Sequence, residues 1–497
     1  MYHLLLFVAA LTVASLFYSR TKTRRPAQLG DIVHVDLKGD KSPGRYVAET
    51  GNLITKGYAK YSKKGLPFSI PNLSDFSSPL VILPLKYLDE VAHAPQNQLS
   101  LKEYFSKLGL LKYSYGPPIA DEVQRVAKSD LNQALNELIL PLQEVCQKAY
   151  EKDMPCCTDW TPLRPYNTLM SIFVRITALT LVGPELHDAW TALSFEYLPA
   201  FMKATRSVGT GYHESTRWLA RYIDADVKNL IKCRRKAADL LRPALEHRLA
   251  ELRSNKAGQK HQDAIQWLIV EHRRKGHRLS PDELAQNLLV LTVSSTHQTT
   301  MVAVWLLFEL INHPDSLEEI KLEISRIRGQ EKIWTRRKLQ DLRIMDSFMT
   351  ETMRVHSFTQ TTVNRMVMKP YIFKDGLILP AGTQISFPTR PYSIDETVHS
   401  DPLAFDPKRH LVKRERGDST KYHFASTADS LVWGSGPHAC PGRFLVQDAL
   451  KLIFIHMLAH YSFRYPDDGK THPSPDMSHG IMIAPDVSMP ILFKEED

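Results

Sequence analysis

Apolar and polar positions along the chain fall into three regimes. Residues Tyr2–Tyr18 are a continuous apolar run without acid, Lys or Arg, closed at once by Arg20, Lys22, Arg24 and Arg25. From Asp121 to Met349 apolar residues recur at three- and four-residue spacing, the period of amphipathic helices. After Arg354 the period falls to two, predicting strands over Thr361–Met368, Tyr371–Phe373, Leu377–Leu379 and Gln384–Phe387, parted by the turns Lys374-Asp-Gly376 and Pro380-Ala-Gly382. Ahead of these regimes Val47–Lys60 reads as a helix and Leu80–Leu85 as a short strand, while Gln96 to Pro118 is turn-rich and predicts a flexible loop over a pocket. Asp395 to Asp429 is charged and turn-rich, Phe444–Ala459 is helical, and the run to Phe493 is strand-like. The fold class expected is mainly α with small β-sheets.

The densest helical signal is Leu284–Leu310, opened by Ser280 as N-cap with Pro281 at N1 and Glu283 at N3. Its length would suit a membrane span, but Ser294, Ser295, His297, Gln298, Thr299 and Thr300 interrupt its middle. That break predicts a helix buried inside a large protein. Tyr2–Tyr18 is different. It is slightly shorter than the ~20 residues usual for a spanning helix, and its charges come after the apolar run instead of before it, the reverse of a cleaved signal peptide. Residues 1–25 are therefore expected to form a single-pass signal anchor with a basic flank, keeping residues 26–497 on the cytosolic side.

Composition narrows the picture further. A chain of 497 residues that is 43% hydrophobic can bury a large core and is not disordered. No Gly/Ser-rich linker or repeat divides it after the first thirty residues, so one large catalytic domain is expected over 26–497. The five cysteines are odd in number and lack zinc-type spacing, which fits a reducing compartment. The net charge of +9 comes from short scattered clusters such as Arg273-Arg-Lys275 and Arg336-Arg-Lys338. With no basic stripe interleaved by aromatics, nucleic acid is not an expected partner; an acidic redox protein or anionic lipid is.

The chemistry concentrates in Trp433-Gly-Ser-Gly-Pro-His-Ala-Cys-Pro-Gly-Arg443. Cys440 sits just before a helical run, whose first amides and positive end favour a thiolate. Gly434, Gly436 and Gly442 let backbone pass close to a flat group, and Trp433 can pack on the thiolate side. This loop resembles the haem-ligand loop of the cytochrome P-450 superfamily, most closely its fungal microsomal members acting on secondary metabolites. The resemblance runs over nearly the whole chain. It implies a cytochrome P-450-like fold, haem b as cofactor and Cys440 as the iron's axial ligand.

The same resemblance assigns further residues. Glu351-Thr-Met-Arg354 places an acid and an arginine on one helical face. In the family this pair joins an arginine from the loop before the cysteine, nominating Arg409 in Phe405-Asp-Pro-Lys-Arg-His410; His410 replaces the usual aromatic. Arg365 and His438 match positions that contact the haem propionates, with Lys128 or Arg125 as further candidates. The central-helix motif departs from the family, with His297 at the acid position and Gln298 at the first threonine, before Thr299. Fungal members often carry histidine there. His297, Gln298 and Thr299 are thus the expected proton-delivery residues. Beyond them, His356–Thr361 and Gly480–Ile483 match segments that usually face substrate.

By the resemblance, dioxygen and a lipophilic substrate, terpenoid-like or polyketide-derived, would be consumed with electrons from NADPH-cytochrome P-450 reductase, cytochrome b5 being a second donor, at the endoplasmic reticulum membrane. Two other expectations remain open from sequence: a haem-thiolate isomerase or dehydratase needing no dioxygen, and a non-enzymatic membrane-anchored haem protein.

Overall fold

The computed structural model describes residues 29–73, 78–116, 118–254, 261–331, 333–417, 421–469 and 472–496. The apolar run Tyr2–Tyr18, its basic flank and the start of the catalytic region at Pro26 lie outside them.

The molecule is mainly helical. Its main elements are α1 (Pro43–Lys60), α2 (Leu101–Leu108), α3 (Asp130–Asp153), α4 (Pro165–Gly211), α5 (Ala225–Ser254), α6 (Pro281–Asn312), α7 (Arg343–Val355), α8 (Arg409–Arg416) and α9 (Arg443–His460). The α6 start obeys its sequence signal: Glu283 N donates to Ser280 Oγ at 3.2 Å and Ser280 N to Glu283 Oε2 at 2.9 Å, closing a capping box. Helix α6 packs against both α4 and α5, while α3 packs on α4 and α9. Leucines, isoleucines and aromatics from these helices form one continuous core. Helix α4 alone among described helices is long and apolar enough to cross a membrane, but most of that stretch is buried in this core. It breaks at Gly183, so it is two helices joined by a kink.

The β-structure forms several small sheets packed among these helices. A six-stranded sheet runs β1-β2-β3-β9-β6-β4, formed by Val33–His34, Phe68–Ile70, Leu80–Ile82, Gln384–Pro388, Thr361–Val367 and Leu99–Ser100. Thr161–Leu163 (β5), Tyr461–Arg464 (β10) and Ile491–Glu495 (β13) make a second sheet, and the pairs Tyr371–Ile372 (β7) with Ile378–Leu379 (β8) and Met477–His479 (β11) with Met482–Ala484 (β12) are hairpins. Strand β6 is buried on both faces, packed on the sheet's core on one side and lining a cavity on the other. Its register with β9 shifts between Thr362 and Arg365, and Val363 there has φ +53°. A bulge of this kind re-aims the side chains beyond it.

Two segments differ from expectation. The supposed loop Gln96–Pro118 contains β4, α2 and a helical turn over Leu111–Ser114. Ser100 caps α2 by accepting from Glu103 N at 3.1 Å, and Tyr104 anchors it in the core. The turn-rich Asp395–Asp429 includes α8, whose Arg409 and His410 are buried.

Candidate functional site

The loop before α9 is built on glycine. Gly434 and Gly436 take φ +80° and +64°, left-handed conformations open to glycine at little cost. They allow a tight return in which Cys440 N donates to Trp433 O at 2.7 Å. Gly442 has ordinary helical dihedrals, but a Cβ placed there would meet nothing within 4 Å, so the wall beside the sulfur is flat and open. Trp433 is fixed by its indole N–H donating to Phe424 O at 2.7 Å. Arg443 clasps the loop, donating to Cys440 O at 2.7 Å and Ala425 O at 2.9 Å. Burial pushes the Cys440 thiol up from its ordinary value, while the Gly442 and Arg443 amides and the Arg443 charge pull against that shift.

Above the sulfur lies a cavity of about 390 Å³ that Cys440, Trp433, Gly434, Gly442, His438 and Arg365 all line. Its far wall comes from α6 (Val290, Leu291, Ser294, Ser295, Gln298), and its sides from Leu101, Phe105, Leu108, Phe358, Thr359, Ile481 and Met482. The lining is predominantly apolar, the ordinary character of a small-molecule site.

Arg365 is buried to 1% exposure at the cavity edge. Its Nη1 donates to Asn364 O at 2.8 Å, but among the described residues Nε and Nη2 have no partner. Burial lowers its pKa to about 10, because nothing negative faces the guanidinium. His438 stands nearby with Gln96 Nε2 at 3.2 Å from its Nε2. Burial and then the charges of Arg365 and Lys128 lower its pKa. Lys128 is therefore close to this corner, whereas Arg125 is drawn away into an ion pair with Glu271, 2.6 Å long.

Glu351, Arg354 and Arg409 come together in one cluster, all buried. Glu351 receives Arg354 Nε at 2.8 Å and Nη2 at 2.7 Å, and Arg409 Nε at 3.1 Å. Both arginines spend their remaining donors on loop carbonyls: Arg354 on Ser393, Pro402 and Ala404, Arg409 on Ser400 and Asp401. His410, a residue with no assigned partner from sequence, adds a bond to Glu351 at 3.2 Å. Burial would raise the Glu351 carboxyl, but the bonds from Arg354 and His410 hold it far below the usual carboxylate range. This cluster ties α7 to the segment between Ser393 and His410 and does not line the cavity.

The three α6 residues separate. Gln298 faces the cavity, whereas His297 and Thr299 do not line it. His297 Nδ1 lies 2.6 Å from Tyr166 OH, and burial lowers its pKa, keeping it neutral. Thr299 donates its hydroxyl back to Ser295 O at 2.8 Å. Positions 290, 291, 294, 295 and 298 form the lining face, and at about 100° per residue 297 and 299 fall just past its two edges. Tyr166 arrives from the start of α4, far away in sequence, so no local signal announces it.

The family model for cytochrome P-450 matches residues 166–490. Similar proteins include cytochrome P-450 monooxygenase cheE of Chaetomium globosum, 34% identical over 98% of this chain and 96% of its own length. The pyrichalasin C-7 hydroxylase of Pyricularia grisea is 33% identical over 91% of this chain and 90% of its own. Among solved structures, the haem domain of cytochrome P450DA superposes with a TM-score of 0.67 at 14% identity, covering 94% of this chain and 98% of that one. A retinoic acid-bound cyanobacterial CYP120A1 gives 0.65 at 14%, covering 91% and 97%. Those two likenesses concern fold alone. The isomerase and non-enzymatic expectations are not favoured, since both relatives are named for oxygenation. By the extent of these matches, the chain belongs to the cytochrome P-450 family and is a haem-thiolate monooxygenase.

Proposed function

We propose that the cavity above Cys440 is the seat of haem b, that the Cys440 thiolate would hold its iron, and that the enzyme hydroxylates or further oxidises a lipophilic secondary metabolite. The observation carrying this reading is Arg365, a buried guanidinium whose Nε and Nη2 lack partners among the described residues while it lines the same cavity as the cysteine. Haem brings two carboxylates, and a buried arginine needs one. His438 and Lys128 supply the same corner with further cationic or donor groups. The open face at Gly442 leaves room for a flat ring where a side chain would intrude.

When bound, haem supplies dioxygen activation, which a thiolate ligand favours by its electron donation. The chain does the rest. The Gly442 and Arg443 amides and the Arg443 charge offset part of the burial that disfavours a free thiolate, so the sulfur would be held as an anion by its bond to iron, and Trp433 lines the same wall. Glu351, Arg354 and Arg409 brace the segment leading to the loop. Gln298 presents a carboxamide where the family carries a hydroxyl, placing a hydrogen-bond donor and acceptor on the wall that could orient a proton-carrying water; His297, tied to Tyr166, stands one layer back.

The apolar walls Phe105, Leu108, Val290, Leu291, Phe358 and Met482 suit a lipophile. Hydroxylation of a C–H bond agrees with the name of the Pyricularia grisea relative. Electrons come from NADPH-cytochrome P-450 reductase, with cytochrome b5 as a second donor. Residues 1–25 anchor the domain formed by 26–497 to membrane lipid of the endoplasmic reticulum, facing the cytosol.

The test is expression with a reductase in a yeast host. The expected result is a carbon monoxide difference band of thiolate-ligated haem, abolished in Cys440→Ala, and NADPH-dependent gain of one oxygen atom by fed lipophiles. Absence of that band in the parent, or its survival in Cys440→Ala, would overturn the assignment.

A further inference from the structure

One layer behind the cavity wall lies a charged cluster that neither the haem seat nor the loop brace uses. His356, just after α7, meets a carboxylate at each ring nitrogen: Nε2 is 2.7 Å from Glu309 Oε1, and Nδ1 is 2.9 Å from Asp476 Oδ2. Trp305 donates its indole N–H to the other Asp476 oxygen at 2.7 Å and stacks on the His356 ring, centroids 5.7 Å apart and planes 16° off parallel. His313 stands 3.2 Å from the second Glu309 oxygen. An imidazole between two carboxylates must donate from both nitrogens, and so it is held as the cation.

The three elements joined here are those that form one side of the cavity. Glu309 and Trp305 lie on α6, whose Ser294 and Gln298 line the far wall. His356 leads into Phe358 and Thr359, and Asp476 into the β11–β12 hairpin, which brings Ile481 and Met482 to the lining. The two wall segments are stitched by few backbone bonds, Gln360 N to Ile481 O at 2.7 Å and Ile483 N to Phe358 O at 3.0 Å. A two-stranded hairpin is marginal without further support. Part of that support comes from α1, where Gly480 N donates to Val47 O at 2.8 Å, and the charged cluster adds support from behind.

We propose that His356 is a positioning residue for the oxidation: by joining Glu309 to Asp476 it fixes the β11–β12 hairpin against α6 and sets where a bulky substrate rests. This rests on reading the cavity as the haem and substrate site. The groups facing His356 are Glu309, His313 and Trp305 from α6, Asp476 from the approach to β11, and Arg390, whose charge acts on Asp476, from the helix Thr389–Ser393. Burial alone would lower the His356 pKa, but bonds to Asp476 and Glu309 raise it from 6.5 to about 9. The latch therefore stabilises fully below pH 6.5 and is lost as pH rises through about 9.

The test uses the full-length haem-loaded protein and two iron-binding azoles. Imidazole is too small to reach the hairpin; clotrimazole, with its aromatic rings, presses on it. His356→Gln is expected to weaken clotrimazole about tenfold while leaving imidazole within about twofold, the scale of one charge-assisted bond. Hydrogen exchange over residues 477–484 should accelerate about tenfold, with residues 443–460 unchanged. In the parent, the preference for clotrimazole should fall as pH rises through about 9, and this dependence should vanish in the variant. Should His356→Gln not load haem, Asp476→Asn removes one arm of the latch and carries the same comparison. Equal losses for both azoles, or no loss for either, would overturn the proposal. Failure of the haem reading looks different: neither azole would then shift the spectrum of the parent.

Discussion

Arg365 should act with opposite sign on the haem-free and the haem-loaded protein. Without an anion, its buried Nε and Nη2 are a cost to folding; with a carboxylate opposite, they are an anchor. Arg365→Met keeps an unbranched, flexible stem, shorter than arginine, and removes the charge. It should raise the thermal midpoint of haem-free protein, by about 1–3 kcal/mol of relieved desolvation, and weaken haemin titration about tenfold. A fall in both measurements would make Arg365 an ordinary structural residue. The α6 wall supports a second expectation. Gln298 reaches the cavity and Thr299 does not, so Gln298→Leu should raise peroxide release relative to product, while Thr299→Ala, whose hydroxyl only closes onto Ser295 O, should leave coupling near the parent's. At this scale sequence is legible wherever spacing alone fixes direction. Cys440 and His438 from the cysteine loop and Arg365 from the distant strand β6 line one cavity. His297 lies off the wall, at the edge of the lining face, where Tyr166 from another helix meets it.

Between α7 and α8 the same logic runs at the level of whole elements. Glu351 is the only acid bonded to Arg354 and Arg409 among the described residues, and the two arginines in turn hold five carbonyls of the segment leading to the cysteine loop. Glu351→Ala leaves two buried cations uncompensated, a loss of about 3–5 kcal/mol. The expected outcome is no recoverable carbon monoxide band. His410→Phe restores the family's aromatic and removes a single bond from a histidine that burial keeps from charging, so it should lower stability by only about 1 kcal/mol and spare the band. Because the Glu351 carboxyl is held below its ordinary 4.5, the brace contributes in full above that value and is lost as pH falls beneath it; acid unfolding of Glu351→Gln should be correspondingly less steep. Elements with strong periodicity, such as α6 with its capping box, are legible in full. The stretch Gln96–Pro118 is not, because α2 is short and its order comes from β4 pairing with β6 and from Tyr104 in the core. Nor does alternation in β6 reveal its burial on both faces, which depends on a cavity that only the assembled fold creates.

Across the whole molecule two apolar segments compete as membrane anchors, and they differ in kind. Helix α4 passes on length and composition but is committed to the core, packed by α3, α5 and α6. Tyr2–Tyr18 carries its basic residues directly after the apolar run, the arrangement that holds the downstream chain on the cytosolic side. The chain as a whole is basic, with 63 Lys and Arg against 54 Asp and Glu, and that charge alone could draw the protein to anionic lipid. Salt separates the two mechanisms, since an inserted apolar helix is indifferent to ionic strength and exposed charges are screened within about 3 Å at 1 M. Vesicles of phosphatidylcholine with phosphatidylserine should float the full-length chain equally at low and high salt. A chain beginning at Pro26 should float only at low salt, or not at all, and keep the same carbon monoxide band. Flotation of the shortened chain at high salt would place the membrane contact within residues 26–497, most plainly on the exposed apolar side chains Trp218, Tyr222 and Ile223 just beyond α4.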